Sequence, residues 1–196
     1  MNKSEMIAGV KKKIDNLKKS PLYNYRKENN YIPVIGEGSL DAHIMFVGEA
    51  PGKNEAATGK PFCGRSGKLL DEMLLSIGLS RLDIYITNLV NDRPHDNRDP
   101  NKEEIILYSP FLDEQIKIIK PKVIVMLGRL SMNYLFERAG VKEKLQMIGQ
   151  MHGKMFEGEI DGLKVKLLPL YHPAAAIYNQ KLRGTLFEDF KNLKGL

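Results

Sequence analysis

Apolar residues recur at two different periods along this chain, and the alternation between those periods sets the expected architecture. Near the start, Met6, Val10, Ile14 and Leu17 stand four, four and three apart, the single stripe of an amphipathic helix over about residues 3–19. Residues 20–41 carry Pro21, Pro33 and glycines without a period and read as irregular chain. Short apolar runs then appear at 43–47 (HIMFV), 84–87 (IYIT), 123–127 (VIVML) and 165–170, each a strand of the kind buried on both faces. Helical patterns separate them. Residues 66–77 place Leu69, Leu70, Met73, Leu74 and Ile77 on one face, and residues 102–119 carry Ile105, Ile106, Phe111, Leu112, Ile116 and Ile119. A further helix is expected around 131–136 and a last one over 184–193.

Near-continuous apolar strands alternating with helices predict an α/β fold, a mostly parallel sheet covered on both sides. No internal repeat and no linker divides the chain, so residues 1–196 are expected to form a single domain. Such sheets bind ligands beyond the carboxyl ends of their strands. Three of those ends carry unusual polar residues: Gly48-Glu49, Asn88 and His172-Pro173.

Composition narrows the chemistry. Hydrophobic residues make up 42% and charged residues 28% of 196, a globular balance, and the net charge of +6 suits a polyanionic partner without requiring one. The lysines around the first helix read equally as its solvated face or as an arm for DNA. A single cysteine, Cys63, leaves no internal disulfide framework and no multi-cysteine metal site within one chain. The lysine-rich start has no apolar run of the signal-peptide kind, and no stretch is long enough to cross a bilayer. The expectation is a soluble, cytoplasmic monomer without membrane contact.

The strand-end motifs carry the candidate chemistry. The turn GEAPG (residues 48–52) brackets a proline with glycines, so it is either an ordinary tight turn or a loop that brings backbone amides close to a flat ligand. It matches neither GxxxxGK[ST] nor GxGxxG, which argues against nucleotide triphosphates and dinucleotides. The loop continues through Glu55 to GKPFCGRSG, where Phe62 stands between glycines at the opening of a helix, a place for a planar base to stack. Asn88 either caps the next turn or offers a donor and an acceptor that match the N3–H and O4 edge of uracil and mismatch cytosine. His172 is either structural or a neutral imidazole able to donate to an oxygen on which negative charge grows. After it, Pro173 and the small apolar run through Ala174, Ile177 and Tyr178 form a candidate wedge into duplex DNA. Lys181 and Arg183 are placed to hold phosphates, and Arg65 and Ser66 are further candidate DNA contacts.

GEAPG with GKPFCGRSGKLLD, ITNLVNDRPHDNRDP, PFLDEQIKIIKPKVIVMLG and YHPAAAI together resemble the uracil-DNA glycosylase superfamily, and its family 4 branch in particular, over about residues 20–190. The resemblance implies a three-layer α/β/α sandwich with a central four-stranded parallel sheet. It also implies a DNA-repair hydrolase that flips uracil from single-stranded or U:G-mispaired DNA and cuts its N-glycosidic bond. By motif, Gly48, Glu49, Ala50 and Gly52 form the pocket loop, with Glu55 a second acidic residue. Phe62 stacks on the base, Asn88 reads it, and His172 with the loop amides stabilises the departing anion; Glu49 or Glu55 orients water. Two departures stand out. Family 4 implies a [4Fe–4S] cluster on four cysteines, whose approximate positions here are Ser20, Tyr23, Asp92 and Tyr108, so neither a cluster nor another cofactor is expected. Ala56 stands where the family often has another acidic residue. The rival expectations are a uracil- or DNA-binding homologue of weak or lost activity, a glycosylase for another deaminated base such as hypoxanthine, and a covalent trap of uracil-DNA through His95.

Overall fold

The computed structural model describes residues 1–195. Its first helix, α1 (Lys3–Asp15), begins at a reciprocal cap: the Asn2 side chain accepts from the Glu5 N–H, and the Glu5 carboxylate accepts from the Asn2 N–H, each at 2.9 Å. The stretch expected to be irregular contains α2 (Tyr23–Glu28) and an edge strand, β1 (Gly36–Gly38), both too short to show a period. The chain continues through β2 (Ile44–Gly48), α3 (Lys53–Thr58), α4 (Arg65–Ser76), β3 (Ile84–Asn88) and α5 (Lys102–Ile119). It ends with β4 (Val123–Leu127), α6 (Arg129–Arg138), α7 (Ile148–Met151), β5 (Phe156–Ile160), β6 (Leu163–Leu170), α8 (Pro173–Ala176) and α9 (Gln180–Phe190).

The strands form one sheet in the order β1-β3-β2-β4-β6-β5. Its middle four strands are parallel, as expected; β1 and β5 add antiparallel edges that the apolar pattern did not reveal. In β5 the burial alternates, the signature of an edge with one wet face. Every residue of β2, β3 and β4 is buried, because helices cover both sheet faces.

The two layers divide the strands by parity. Met45 and Val47 of β2 pack with Val10 and Ile14 of α1, Leu112 and Ile116 of α5, and Leu135 of α6. Ile44 and Phe46 face the other way, onto Leu70 and Met73 of α4 and Leu186 and Phe190 of α9. Each such large apolar side chain contributes roughly 1.5–3 kcal/mol by leaving water. Two expected core positions lie outside: Met6 is 37% exposed and Ile106 is 60% exposed, because each sits one step off the contact line between α1 and α5. No helix among the described residues is long and apolar enough to cross a membrane.

Candidate functional site

The loops that follow β2, β3 and β6 converge at the carboxyl end of the parallel strands, and a cavity of about 310 Å³ opens there. It gathers Glu49, Phe62, Asn88 and His172 from four separate parts of the chain. Ala50, Gly52, Glu55, Ser66 and Ala174 also line it. Gly48 is the floor between two of these groups. A Cβ on it would lie 2.4 Å from Asn88 Oδ1 and 2.8 Å from Phe62 Cζ, so glycine is what lets the carboxamide and the ring approach each other.

Asn88 is 2% exposed as a residue, and its carboxamide, which lines the cavity, makes no hydrogen bond to a described residue. The sealed side-chain atom without a partner is instead Asn91 Oδ1, outside the cavity lining. Because the cavity opens onto the Asn88 amide, its donor and acceptor are available to a ligand that fits there. His172 presents the complementary device. The Ala174 N–H donates to its Nδ1 at 3.1 Å, which places the proton of the neutral ring on Nε2. Burial lowers its pKa to about 4, with the Glu55 charge pulling the other way, so the ring is neutral across the physiological range. The Phe62 and His172 rings lie 5.7 Å apart at 27°.

The two glutamates do different things. Glu55 accepts at one oxygen from the N–H groups of Cys63 (3.0 Å) and Gly64 (2.9 Å), fixing the turn that precedes α4. Glu49 accepts from the Leu130 N–H at 2.8 Å, in the first turn of α6. Burial pushes the Glu49 carboxyl up from its ordinary value, with that N–H pulling it back and the Asp99 charge pushing further up.

Phe62 is held against its own preference. Its φ of +49° is a rare conformation for an aromatic residue. Two features hold it there. Arg81 donates to the carbonyls of Pro61 (3.0 Å) and Phe62 (2.5 Å) while Asp71 holds its Nε at 2.6 Å. Gly67 leaves room for that turn, since a Cβ there would meet the Phe62 carbonyl at 1.6 Å. Arg81 carried no sequence signal, because it lies outside every motif.

The far wall of the cavity is the loop through Pro94, Asn97, Arg98, Asp99 and Pro100. Asp99 pairs across the rim with Arg129 at 3.1 Å. His95 stacks on Tyr25 with ring centres 3.8 Å apart and is not among the residues lining the cavity.

Of the candidate DNA contacts, Ser66 and Ala174 line the cavity. Tyr178 is 81% exposed and carries the Arg65 guanidinium over its ring at 5.4 Å. Pro173 is buried at the start of α8, Ile177 is half-buried, and Lys181 is exposed. Arg183 makes an ion pair with Glu72 of α4 at the surface, its side chain 36% exposed.

A family model described as the uracil DNA glycosylase superfamily matches residues 35–193. The type-4 uracil-DNA glycosylase of Saccharolobus solfataricus is 46% identical over 195 residues, 99% of this chain and 86% of the relative. The type-4 enzyme of Sulfurisphaera tokodaii is 46% identical over 193 residues, 98% and 85% of the two chains. That of Archaeoglobus fulgidus is 42% identical over 189 residues, 96% and 92%. The chain belongs to the uracil-DNA glycosylase superfamily.

The family 4 resemblance implies a cluster at Ser20, Tyr23, Asp92 and Tyr108. The structure brings them together, but around a guanidinium. Tyr108 donates to Asp92 Oδ2 at 2.5 Å; its single proton is thereby used, so the 2.8 Å contact between its oxygen and Ser20 Oγ takes its proton from the serine. Arg26 Nη1 reaches the two Asp92 oxygens at 3.2 and 3.1 Å, and the Arg26 guanidinium lies 5.0 Å from the centre of the Tyr23 ring. A hydroxyl, two phenols and one carboxylate, with a permanent cation among them, do not fit an iron–sulfur cluster, which needs thiolates. Among the described residues no group of three or more His, Cys, Asp or Glu side chains is placed to hold a metal ion.

Proposed function

We propose that this chain is a monomeric, single-domain, cytoplasmic uracil-DNA glycosylase that takes uracil out of single-stranded or U:G-mispaired DNA and hydrolyses its N-glycosidic bond, leaving an abasic site. The observation that carries this reading is the carboxamide of Asn88, bonded to no described residue, in a cavity that it shares with an aromatic ring and a neutral imidazole. Uracil offers an N3–H donor and an O4 acceptor to a side chain that has one of each, and cytosine offers the reverse. A site whose buried groups pair with one base and are stranded by another discriminates steeply. The type-4 relatives are named for the same activity.

In the proposed reaction the flipped uracil stacks on Phe62 and pairs with Asn88. As the bond from C1′ to N1 breaks, positive charge grows on the sugar and negative charge on the base. The Nε2–H of His172 donates to uracil O2, where a preorganised neutral donor lowers the barrier without giving up its proton. Glu49 orients the attacking water and steadies the sugar cation; its raised pKa makes it a better base than an ordinary carboxylate. Glu55 spends one oxygen on the Phe62 turn and serves mainly to hold that ring in place. No cofactor takes part. Extrusion costs a few kcal/mol and least for a mispaired or unpaired base, which favours U:G and single strands.

The test is release of uracil from labelled DNA under single-turnover conditions, with hypoxanthine- and xanthine-containing duplexes beside it. Uracil release alone is expected, with Glu49→Gln slowing it by roughly 100-fold or more and Glu55→Gln by much less. Equal release of hypoxanthine, or a Glu49→Gln protein at the full rate, contradicts the proposal.

A further inference from the structure

We propose that this chain anchors the outer wall of its cavity without iron, using a buried ion-pair network centred on Arg26 at the place where its family resemblance implies a four-cysteine cluster. The first 34 residues lie ahead of the stretch that the family model matches. Yet they supply one half of the anchor. Arg26 donates to the carbonyls of Ile14 (3.2 Å) and Asp15 (2.7 Å), which close α1, and to the Asp92 carboxylate. Both charged side chains are almost wholly shielded from water, at 4% and 1% exposure. Tyr108 and Ser20 complete the shell around the carboxylate, and the Tyr23 ring lies against the guanidinium.

The network ends two residues before the cavity wall begins at Pro94, and the next residue extends it. Arg93 Nη1 donates to the phenol oxygens of Tyr25 and Tyr31 at 2.8 Å each, and its Nε donates to Asn97 at 2.8 Å. Asn97 and Asp96 hold φ of 56° and 53°, left-handed conformations that Asn and Asp adopt more readily than other non-glycine residues. The anchor therefore joins α1, α2, the root of the loop and α5 in one buried contact, the joining role that a metal cluster would otherwise fill. A buried pair of this kind fixes one arrangement, since either charge alone would be stranded in apolar surroundings.

The inference is independent of which base is excised, and its experiment separates the two. The full chain is purified aerobically and again after anaerobic treatment with iron and sulfide, then assayed for iron, sulfide, visible absorbance and Tm. Substoichiometric iron, no absorbance band and an unchanged Tm are expected. Retention of about four irons and four sulfides through desalting would overturn the proposal. Next, Arg26→Met, Asp92→Leu and the double variant are compared by Tm and by hydrogen exchange of residues 93–100. Each single change is expected to lower Tm by roughly 10 °C and to speed exchange in the loop, and the double variant to lose less than their sum. Single variants with the parental Tm and loop protection would contradict the anchor. Uracil release measured on the parent alone tests the glycosylase reading; its absence in an iron-free, network-dependent chain would sink that reading and leave the anchor standing.

Discussion

Asn88 and Asp92 stand four residues apart at the end of β3, each 2% exposed, and they are used in opposite ways. Asp92 is saturated: a guanidinium and a phenol spend their protons on it. Asn88 makes no side-chain hydrogen bond to a described residue, and its amide opens onto the cavity. A buried polar group that the protein satisfies contributes to holding the fold. One that it leaves unsatisfied, at the mouth of a cavity, is waiting for something the protein does not supply. The difference separates structure from function more sharply than burial or charge does, because both residues are buried and both are polar.

Replacing each by alanine gives the largest contrast. Asp92→Ala strands the Arg26 charge and is expected to lower unfolding free energy by about 3–5 kcal/mol. Asn88→Ala removes a group that gains nothing in the free protein, so its unfolding free energy should stay within about 1 kcal/mol of the parent. Denaturant titration reads both, and equal losses at the two positions would erase the distinction.

Arg81 tests whether the stacking ring depends on its clamp. Arg81→Gln leaves Phe62 in place but frees a strained backbone of the kind that costs about 1–3 kcal/mol, so kcat/KM should fall by roughly tenfold with a smaller change in Tm. Arg81→Lys should recover only part of it, since a point charge cannot span two carbonyls as a planar fork does.

Acid should reveal the environment of His172. Its folded pKa of about 4 lies below the value of an unfolded histidine, so the unfolded chain binds the extra proton first. The stability that depends on keeping this ring neutral is complete above about pH 6.5 and is lost as pH falls from there towards 4. In His172→Gln the fall in Tm between pH 7 and pH 4.5 should be smaller than in the parent. For the same reason the rate should show no inflection near pH 6.5 that belongs to this ring.

The smallest effects are expected at the DNA surface. Lys181→Ala should lower the slope of log affinity against log salt by about one, and Arg183→Ala by less, because Glu72 already holds that guanidinium.

Much of this molecule could be read from residue order. The central strands were legible because burial on both faces writes an unbroken apolar run, and the strand-end rule then pointed to Glu49, Asn88 and His172. The edge strands β1 and β5 were not, since one is three residues long and the other alternates polar with apolar. Short helices such as α3 and α8 have too few residues to show a period. The groups that hold the site were also hidden. Arg26 meets Asp92 across 66 positions and Arg81 meets Phe62 across 19, and nothing local marks either arginine. In the sequence Ser20, Tyr23, Asp92 and Tyr108 stand out only as places where cysteines are missing; what fills the space depends on a fifth residue, Arg26, that the motif does not contain.

The idle carboxamide can be put to the question directly. Uracil release from a U:G duplex is measured in a single turnover for the parent and for Asn88→Ala, with Tm recorded for both. A fall of roughly 100-fold or more at an unchanged Tm is the predicted result. An Asn88→Ala protein that releases uracil at the parental rate would contradict it.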